Sequence, residues 1–437
     1  MKSHSLRLPA ALLPLLLGIL PACRTASVAP PPAPPAPPAE AEADGTGDEV
    51  PPPAPVPSPT ATPPAALHIL RWNPAISSFT EETFREGVDR LANDGTALTS
   101  WSLHDWESVR PGDWALFARV GGEKPSTDGI AGICRIASMP YEALSWRGDG
   151  STAHYAEIDL RLLNDPAATG VLAAPELDAL FPSVDWHGGH SGVPVPPGTA
   201  APLALVVADR LAAAGSAGYP SGSLVAAENG LALEFLPYRL VGGLCPGLRA
   251  VPPTSSGGGP AAPFRVAIDW PTPFDPNDTH PSTFHAPSGD VTVRFMNRDT
   301  AAVRKTLSPS GWTALVLPAA GDAFELLLIV PPRGATPGDI ESALPEALAA
   351  ERTAAGHSVP VFLSLPKTAL VATGPVLRST RLDLDEGSPS GLPPSTPLPA
   401  PSATAKPVRV LLNRPFVVAL RDTQTSSFLL LGTVLSP

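Results

Sequence analysis

The segment DWHGGHSG, residues 185–192, concentrates residue types that could do chemistry. Its candidate metal ligands are Asp185, His187 and His190. Two histidines separated by Gly-Gly are expected in a loop, which does not hold both imidazoles toward one metal ion, so a metal site is disfavoured. A nucleophilic Ser191 is disfavoured as well, because the G-x-S-x-G motif requires glycine where Val193 stands. A turn packed by Trp186 is the better interpretation.

No other segment offers an acid/base pair, a metal motif or a phosphate loop. We therefore expect no enzymatic activity, no bound metal and no cofactor. The net charge of -12, without any cluster of four basic residues, argues against a nucleic-acid backbone as partner. A disulfide between Cys134 and Cys245 is open but unsupported, and no C-x-x-C motif occurs.

Residues 1–22 form a predicted signal peptide. Lys2 and Arg7 precede an apolar run that is too short for a good membrane-spanning helix. The sequence LPAC at residues 20–23 resembles a bacterial lipobox, which implies a lipid on Cys23 that anchors the exported protein to a membrane of the cell envelope. Proline at the second position departs from the lipobox pattern, so plain secretion is the alternative.

Residues 23–66 form a predicted tether. Fifteen prolines lie between Pro30 and Pro64, mixed with alanine and acidic residues. A segment of this composition has nothing to bury and favours an extended, polyproline-like spacer. Such a spacer would hold a folded part away from a membrane surface.

Short strands and two helices are predicted over residues 67–210. LHILRW, DWALFARV, GIAGICRIA and AEIDLRLL have strand patterns, and APELDALFP has that of a short helix. Thr80 is the predicted cap of a longer helix with acidic residues in its first turn. The apolar face of that helix holds Phe84, Val88 and Leu91. Strands with crossing helices predict a small mixed barrel.

The same region resembles a PUA-like domain of the EVE type. The matching motifs are RWNPAISS at 71–78, WS at 101–102, Trp106, PGD at 111–113, YE at 141–142 and the segment 185–192. Such domains hold a flat, often modified base in an aromatic pocket. The resemblance implies a small planar ligand bound by Trp72, Trp101 and Trp186. The favoured alternative is that these tryptophans are core residues, since an exported domain would rarely meet modified DNA.

Residues 211–437 form the second predicted region, with a clear pattern from residue 264 onward. TALVLP and FELLLIVP flank Gly321-Asp322, which predicts a hairpin. Thr336 with Asp339 has the pattern of a capping box before a helix. VTVRF, VRVLL, FVVAL and FLLLGTVL are further predicted strands.

This second region resembles the serpins. The matching motifs, in the family's order, are DWPTPFDPNDT at 269–279, VTVRFM at 291–296, LP and GD within 317–322, LPK at 365–367, RPF at 414–416, RD at 421–422 and LGTV at 431–434 with the last proline. The first half of a serpin domain has no clear counterpart. The resemblance implies an α+β chain: a small PUA-like mixed β-barrel with crossing helices, then a truncated serpin-like antiparallel sheet domain.

Serpins inhibit proteases through an exposed loop that inserts as a strand after cleavage, and the resemblance assigns this role to the segment after the DEG hinge at 385–387. The loop positions of interest are Glu386, Gly387, Ser388, Ala400, Pro401, Ser402, Ala403 and Thr404, with the scissile bond between Ala400 and Thr404. The loop carries prolines at 389, 393, 394, 397, 399, 401 and 407. Because proline cannot join the interior of a sheet, we expect a non-inhibitory relative of the serine protease inhibitors. The alternatives are a surface binding or scaffold protein, or ligand binding by the first region.

Overall fold

Three β-sheets organise the part of the chain that the computed structural model describes. The described residues are 65–121, 127–165, 170–216, 224–226, 236–251, 264–307, 311–372, 376–388 and 405–437. The predicted signal peptide, nearly all of the tether and the loop positions 400–404 lie outside these ranges. Within these ranges, no helix has the length and apolar character needed to cross a membrane.

The first sheet is built by strands between residues 67 and 226. They are β1 (Leu67–Trp72), β2 (Leu98–Leu103), β3 (Trp114–Arg119), β4 (Gly129–Ile136), β5 (Tyr141–Leu144), β6 (Thr152–Asn164), β7 (Leu172–Ala173), β8 (Val193–Pro194) and β9 (Leu224–Ala226). Their order is β2-β6-β4-β3-β1-β8, with β5 and β9 on β6 and β7 on β4. Only β1 and β3 pair in parallel. A hydrogen bond from His104 N to Ser191 O (2.8 Å) joins the end of β2 to the segment before β8. Closure into a PUA-like barrel stays a prediction.

Two helices in this region were predicted from local patterns and are confirmed. They are α1 (Glu81–Asp94) and α2 (Ala174–Leu180). The Thr80 hydroxyl caps α1, and Gly95 ends it with a left-handed φ of 68°. Phe84 and Leu91 are buried and Val88 packs beside them, so the apolar face of α1 covers the sheet.

The second sheet has four short strands. They are β10 (Leu248–Ala250), β11 (Phe264–Ile268), β17 (Thr368–Val371) and β18 (Thr380–Leu384), in the order β10-β11-β18-β17. The two central strands, β11 and β18, are parallel neighbours with Phe264 opposite Thr380 and Ala267 opposite Asp383.

The third sheet contains the remaining strands. They are β12 (His280–Ala286), β13 (Gly289–Thr306), β14 (Thr313–Pro318), β15 (Phe324–Val330), β16 (Gly356–Pro366), β19 (Val408–Leu411), β20 (Phe416–Asp422) and β21 (Phe428–Val434). Their order is β19-β16-β13-β14-β15-β20-β21, with β12 on β13. The predicted hairpin at Gly321-Asp322 is confirmed by the β14–β15 pair. Within this sheet the antiparallel expectation holds except at β19, which pairs in parallel with β16. In the second sheet, the parallel pair of β11 and β18 also departs from that expectation. The capping box at Thr336 and Asp339 starts α5 (Pro337–Thr353), as predicted.

Two further helices were not predicted. They are α3 (Pro197–Ser216) and α4 (Leu236–Leu244). Residues 201–211 of α3 are buried throughout, in a core that includes both Leu67 of β1 and Val434 of β21. The boundary expected between residues 210 and 211 therefore falls inside a buried helix. Whether residues 67–210 fold on their own stays a prediction.

Candidate functional site

The segment Asp385–Ser388 directly follows β18 and is the described beginning of the predicted reactive loop. Hydrogen bonds to the carbonyl groups of Asp385 and Glu386 fix this segment. The Trp270 indole donates to Asp385 O (3.1 Å), and Phe274 N donates to Glu386 O (2.9 Å). Both donors come from the segment after β11, so the hinge is tied to the neighbouring strand.

Gly387 is required at this hinge for two reasons. Its φ of +75° is a conformation that side-chain-bearing residues rarely adopt. A Cβ on Gly387 would also lie 2.8 Å from Cδ1 of Trp270. Its amide donates to Asp385 Oδ1 (2.9 Å), which closes a tight turn at the start of the loop.

Charged side chains reinforce the same hinge. Arg249 donates to Asp385 (3.0 Å) and to Asp269 (3.1 Å), which bridges the two strand ends. Lys367 Nζ lies 2.7 Å from Glu386 Oε2. Partial burial alone would raise the pKa of Glu386. The hydrogen bond and charge of Lys367, together with a main-chain hydrogen bond and the Thr279 hydroxyl, outweigh the burial, and the pKa lies below its usual value. We call the hinge contacts of Trp270, Phe274, Arg249 and Lys367 the hinge clamp.

A cleft of about 650 Å³ opens in the first sheet. Its walls are β2, the segment after β1, the segment 187–191, and the turn between β5 and β6 with the start of β6. The aromatic side chains that line it are Phe79, Trp101, Trp146 and Tyr155. Its size is that of ordinary ligand pockets, roughly 300–1,000 Å³.

The three tryptophans predicted as a pocket are separated in the structure. Trp72 is fully buried and stacks on Phe84 at 4.5 Å. Trp186 is 1% exposed in the core shared with the other sheets, and its indole donates to Phe181 O. Only Trp101 reaches the cleft. The burial of Trp72 and Trp186 agrees with the alternative that they are core residues. Trp146, 38% exposed at the cleft, was missed because a single tryptophan in a turn carries no pattern.

The segment 185–192 forms a packed turn, as expected. Arg71 holds it by donating to the carbonyls of Asp185 (2.8 Å) and His190. The Ser191 hydroxyl accepts from Trp101 Nε1 (2.8 Å) and from Arg71 N (3.0 Å), so it is engaged as an acceptor rather than placed beside a base. His187 contacts Asp178 at 2.7 Å. Across the described residues, no group of potential ligands is arranged to hold a metal.

The cleft lining is polar and basic. It includes Arg71, Arg147, His104, His187 and His190, and no Asp or Glu among the described residues. The hydrogen bond that His187 donates to the Asp178 carboxylate raises the pKa of His187. His104 and His190 stack at 3.9 Å.

A comparison with protein-family models finds no match, and a comparison with curated proteins finds none either. The chain is similar to several solved structures. The native thermophilic serpin tengpin shares 21% identity, with a TM-score of 0.30 over 40% of this chain and 54% of that one. Serpin-12 of Manduca sexta shares 17%, with a TM-score of 0.30 over 40% and 55%. Uncleaved ovalbumin shares 13%, with a TM-score of 0.30 over 40% and 52%. The chain spans about half the length of these structures, and at these scores the family remains a proposal.

Proposed function

We propose that this chain is an exported serpin relative that displays its loop but does not trap proteases. The ordered motifs of residues 264–437 support the proposal, as does the position of the proline-rich loop, which leaves β18 and returns at β19. In an inhibitory relative, the cleaved loop would insert as a new strand beside β18.

The proline content of the loop is the observation that carries the proposal. The prolines that would enter or border the new strand are Pro389, Pro393, Pro394, Pro397, Pro399 and Pro401. Each inserted proline removes one ladder donor and leaves a buried acceptor unpaired, at about 1–3 kcal/mol. Several such penalties approach the whole stability of a typical domain, about 5–15 kcal/mol.

The receiving sheet is closed as well. Four residues of β11, Phe264–Ala267, are in register with Thr380–Asp383 of β18. The hinge clamp adds bonds from Trp270 and Phe274 across the same gap. An inserting strand would have to break all of these contacts before it formed its own.

Limited cleavage tests the proposal. The full chain is nicked with elastase-like and subtilisin-like proteases within residues 387–404, and the melting temperature is compared before and after. We expect an unchanged melting temperature and no SDS-stable complex with the protease. The same proteases with a blocked active-site serine control for stabilisation by binding alone. A large rise in melting temperature after nicking, or a covalent complex, would show that the loop inserts.

The cell-envelope location is part of the proposal and depends on Cys23. The lipobox-like sequence at 20–23 and the proline tether support a lipid anchor. Fatty-acid labelling should mark the wild-type protein and not Cys23→Ala. Label retained by the variant would exclude lipidation at this residue.

Ligand binding at the cleft is the second candidate function. It is favoured by Trp101 and Trp146, which line one cavity with two further aromatic rings. The test is intrinsic fluorescence titrated with nucleobases and methylated bases, with Trp101→Phe and Trp146→Phe to assign the signal. If no probe changes the emission of a folded protein, planar-ligand binding at the cleft is refuted.

A further inference from the structure

The strand β2 forms one wall of the cleft with an open edge. It pairs with β6 on one side, and within the described residues no strand pairs with its other side. All six residues from Thr99 to His104 line the cleft, which is expected where a strand presents its main-chain edge rather than one face.

The hydrogen-bond phase of β2 shows which main-chain groups point into the cleft. Leu160 N donates to Ala97 O (3.1 Å), and Leu98 is opposite Asp159, so Ala97 begins the series of residues bonded to β6. In an antiparallel pair this role alternates. The N–H and C=O groups of residues 98, 100 and 102 therefore point away from β6.

His104, the next residue after 98, 100 and 102 in the series that points away from β6, already has a main-chain hydrogen bond on that side. His104 N donates to Ser191 O (2.8 Å), so the open edge of β2 ends at this residue. For Ser100 and Ser102, the described residues provide no main-chain partner on the cleft side. The open edge thus offers donors and acceptors at a spacing of two residues, or about 6.6 Å.

We propose that the cleft binds an extended, acidic peptide segment of a partner protein, which adds to β2 as a further strand. The inference rests on the second candidate function, ligand binding at the cleft, and names its ligand class. A peptide strand supplies main-chain groups at the same two-residue spacing, as in other cases of strand addition to an open edge.

Charge complementarity selects an acidic peptide. Arg147 lies at the rim, with its guanidinium 5.5 Å from the Trp146 ring. The carboxylates next to the lining are already engaged. Asp178 contacts His187, and Asp185 accepts from the amides of residues 187 and 188. Asp149 accepts from Ser151, Glu142 accepts from the Thr152 hydroxyl, and Asp105 lies 3.9 Å from Nε2 of His104. Aromatic side chains of the lining, Phe79 and Trp101 among them, provide apolar contact for the alternate side chains of the strand.

The test begins with selection of random phage-displayed dodecapeptides on the full chain, counter-selected on Ser102→Pro. Proline at this position removes an N–H that points into the cleft and leaves the bonds to β6 intact. The matched control, Ser102→Ala, removes the hydroxyl and keeps the amide. We expect acidic peptides whose affinity, measured by fluorescence anisotropy, falls about tenfold in Ser102→Pro and by less than about twofold in Ser102→Ala. Arg147→Gln should weaken binding about two- to fivefold.

N-methylation of the selected peptide tests the main-chain geometry without altering the protein, should Ser102→Pro fail to fold. Alternate amides of the bound peptide face β2, and the amides between them face away. Methylating the amides that face β2 should abolish binding, and methylating the others should not. Equal sensitivity of both sets of amides, or no peptide enriched on the wild type, overturns the inference. A dimer in light scattering that is lost in Ser102→Pro would identify a second copy as the occupant instead. Planar ligands that bind while peptides fail would refute the peptide and leave the second candidate function standing.

Discussion

Asp209 on α3 is predicted to be one of the most sensitive positions of the chain. Its side chain is fully buried. Oδ1 accepts from Ser379 N (2.7 Å) and the Thr380 hydroxyl (2.7 Å), and Oδ2 accepts from Arg378 N (2.8 Å) and Arg210 Nη1 (2.7 Å). One carboxylate thus fixes the two residues before β18 and the first residue of the strand.

Replacing Asp209 with alanine leaves two amides and a hydroxyl without an acceptor. A buried unsatisfied donor costs about 1–3 kcal/mol, and breaking a buried charged pair costs about 3–5 kcal/mol. Arg210 keeps its contacts with Glu176 (2.6 Å) and Val376 O (2.9 Å), so its charge still has partners when the Asp209 carboxylate is removed. Three unsatisfied buried donors remain, so we expect Asp209→Ala to lower the free energy of unfolding by about 3–5 kcal/mol, near the lower end of their summed cost.

The change Asp209→Asn separates charge from shape at the same position. The side-chain carbonyl of the asparagine, in place of Oδ1, would keep the bonds from Ser379 and Thr380, while its NH₂ group would face the donors of Arg378 and Arg210. We expect Asp209→Asn to cost about half as much as the alanine change.

Urea unfolding of the full chain, followed by circular dichroism, measures these costs. The control is Asp290→Ala, an exposed carboxylate beside His285, which should change stability by less than about 0.5 kcal/mol. A loss below about 1 kcal/mol in Asp209→Ala would refute the assigned role of the four bonds. Two transitions, of which Asp209→Ala shifts one, would show that residues 67–210 unfold separately.

Three further predictions concern the hinge and the thiols. Gly387→Ala should destabilise the protein by roughly 1–3 kcal/mol, because alanine resists a φ of +75°; a loss below about 0.5 kcal/mol in thermal unfolding would contradict this. The pKa of Glu386 is depressed in the folded state, so its interactions stabilise the hinge above the unfolded pKa, and this stabilisation is lost as pH falls through the folded pKa. Lys367→Met should reduce this acid dependence of stability, and an unchanged profile would refute the pairing. Burial raises the pKa of Cys134 and Cys245, so both thiols should resist a thiol reagent until urea unfolds the chain, and rapid labelling of the native protein would contradict their burial.

The sequence predicted those helices and turns that are determined by residues close to one another in the chain. The capped, amphipathic α1 and the hairpin at Gly321-Asp322 follow from neighbouring residues alone. The helix α3 was not predicted because residues 201–211 are buried on every face of the helix, and a helix without a polar face has no amphipathic period. Its length and the Pro-Gly-Thr start were the signals that could have revealed it.

Long-range pairing was beyond such patterns. The β11–β18 ladder joins residues such as Phe264 and Thr380, far apart in sequence, and only tertiary packing selects that partner. The cleft shows the same limit. The resemblance to PUA-like domains implied a pocket role for Trp72 and Trp101 alike, but Trp101 lines the cleft and Trp72 lies in the core. Which ring faces a cavity depends on the neighbouring elements and not on the motif.

The strand β18 is held at both of its ends, and this bears on how the loop can act. Asp209 binds the residues that lead into the strand, and the hinge clamp binds the residues that leave it. Opening the sheet beside β18 would therefore break buried polar contacts at two places as well as the ladder with β11. A loop that starts from such an anchored strand can vary in sequence, or be cut, without disturbing the sheet beneath it. The same anchoring that opposes insertion thus agrees with the proposal that β18 presents the segment that follows it.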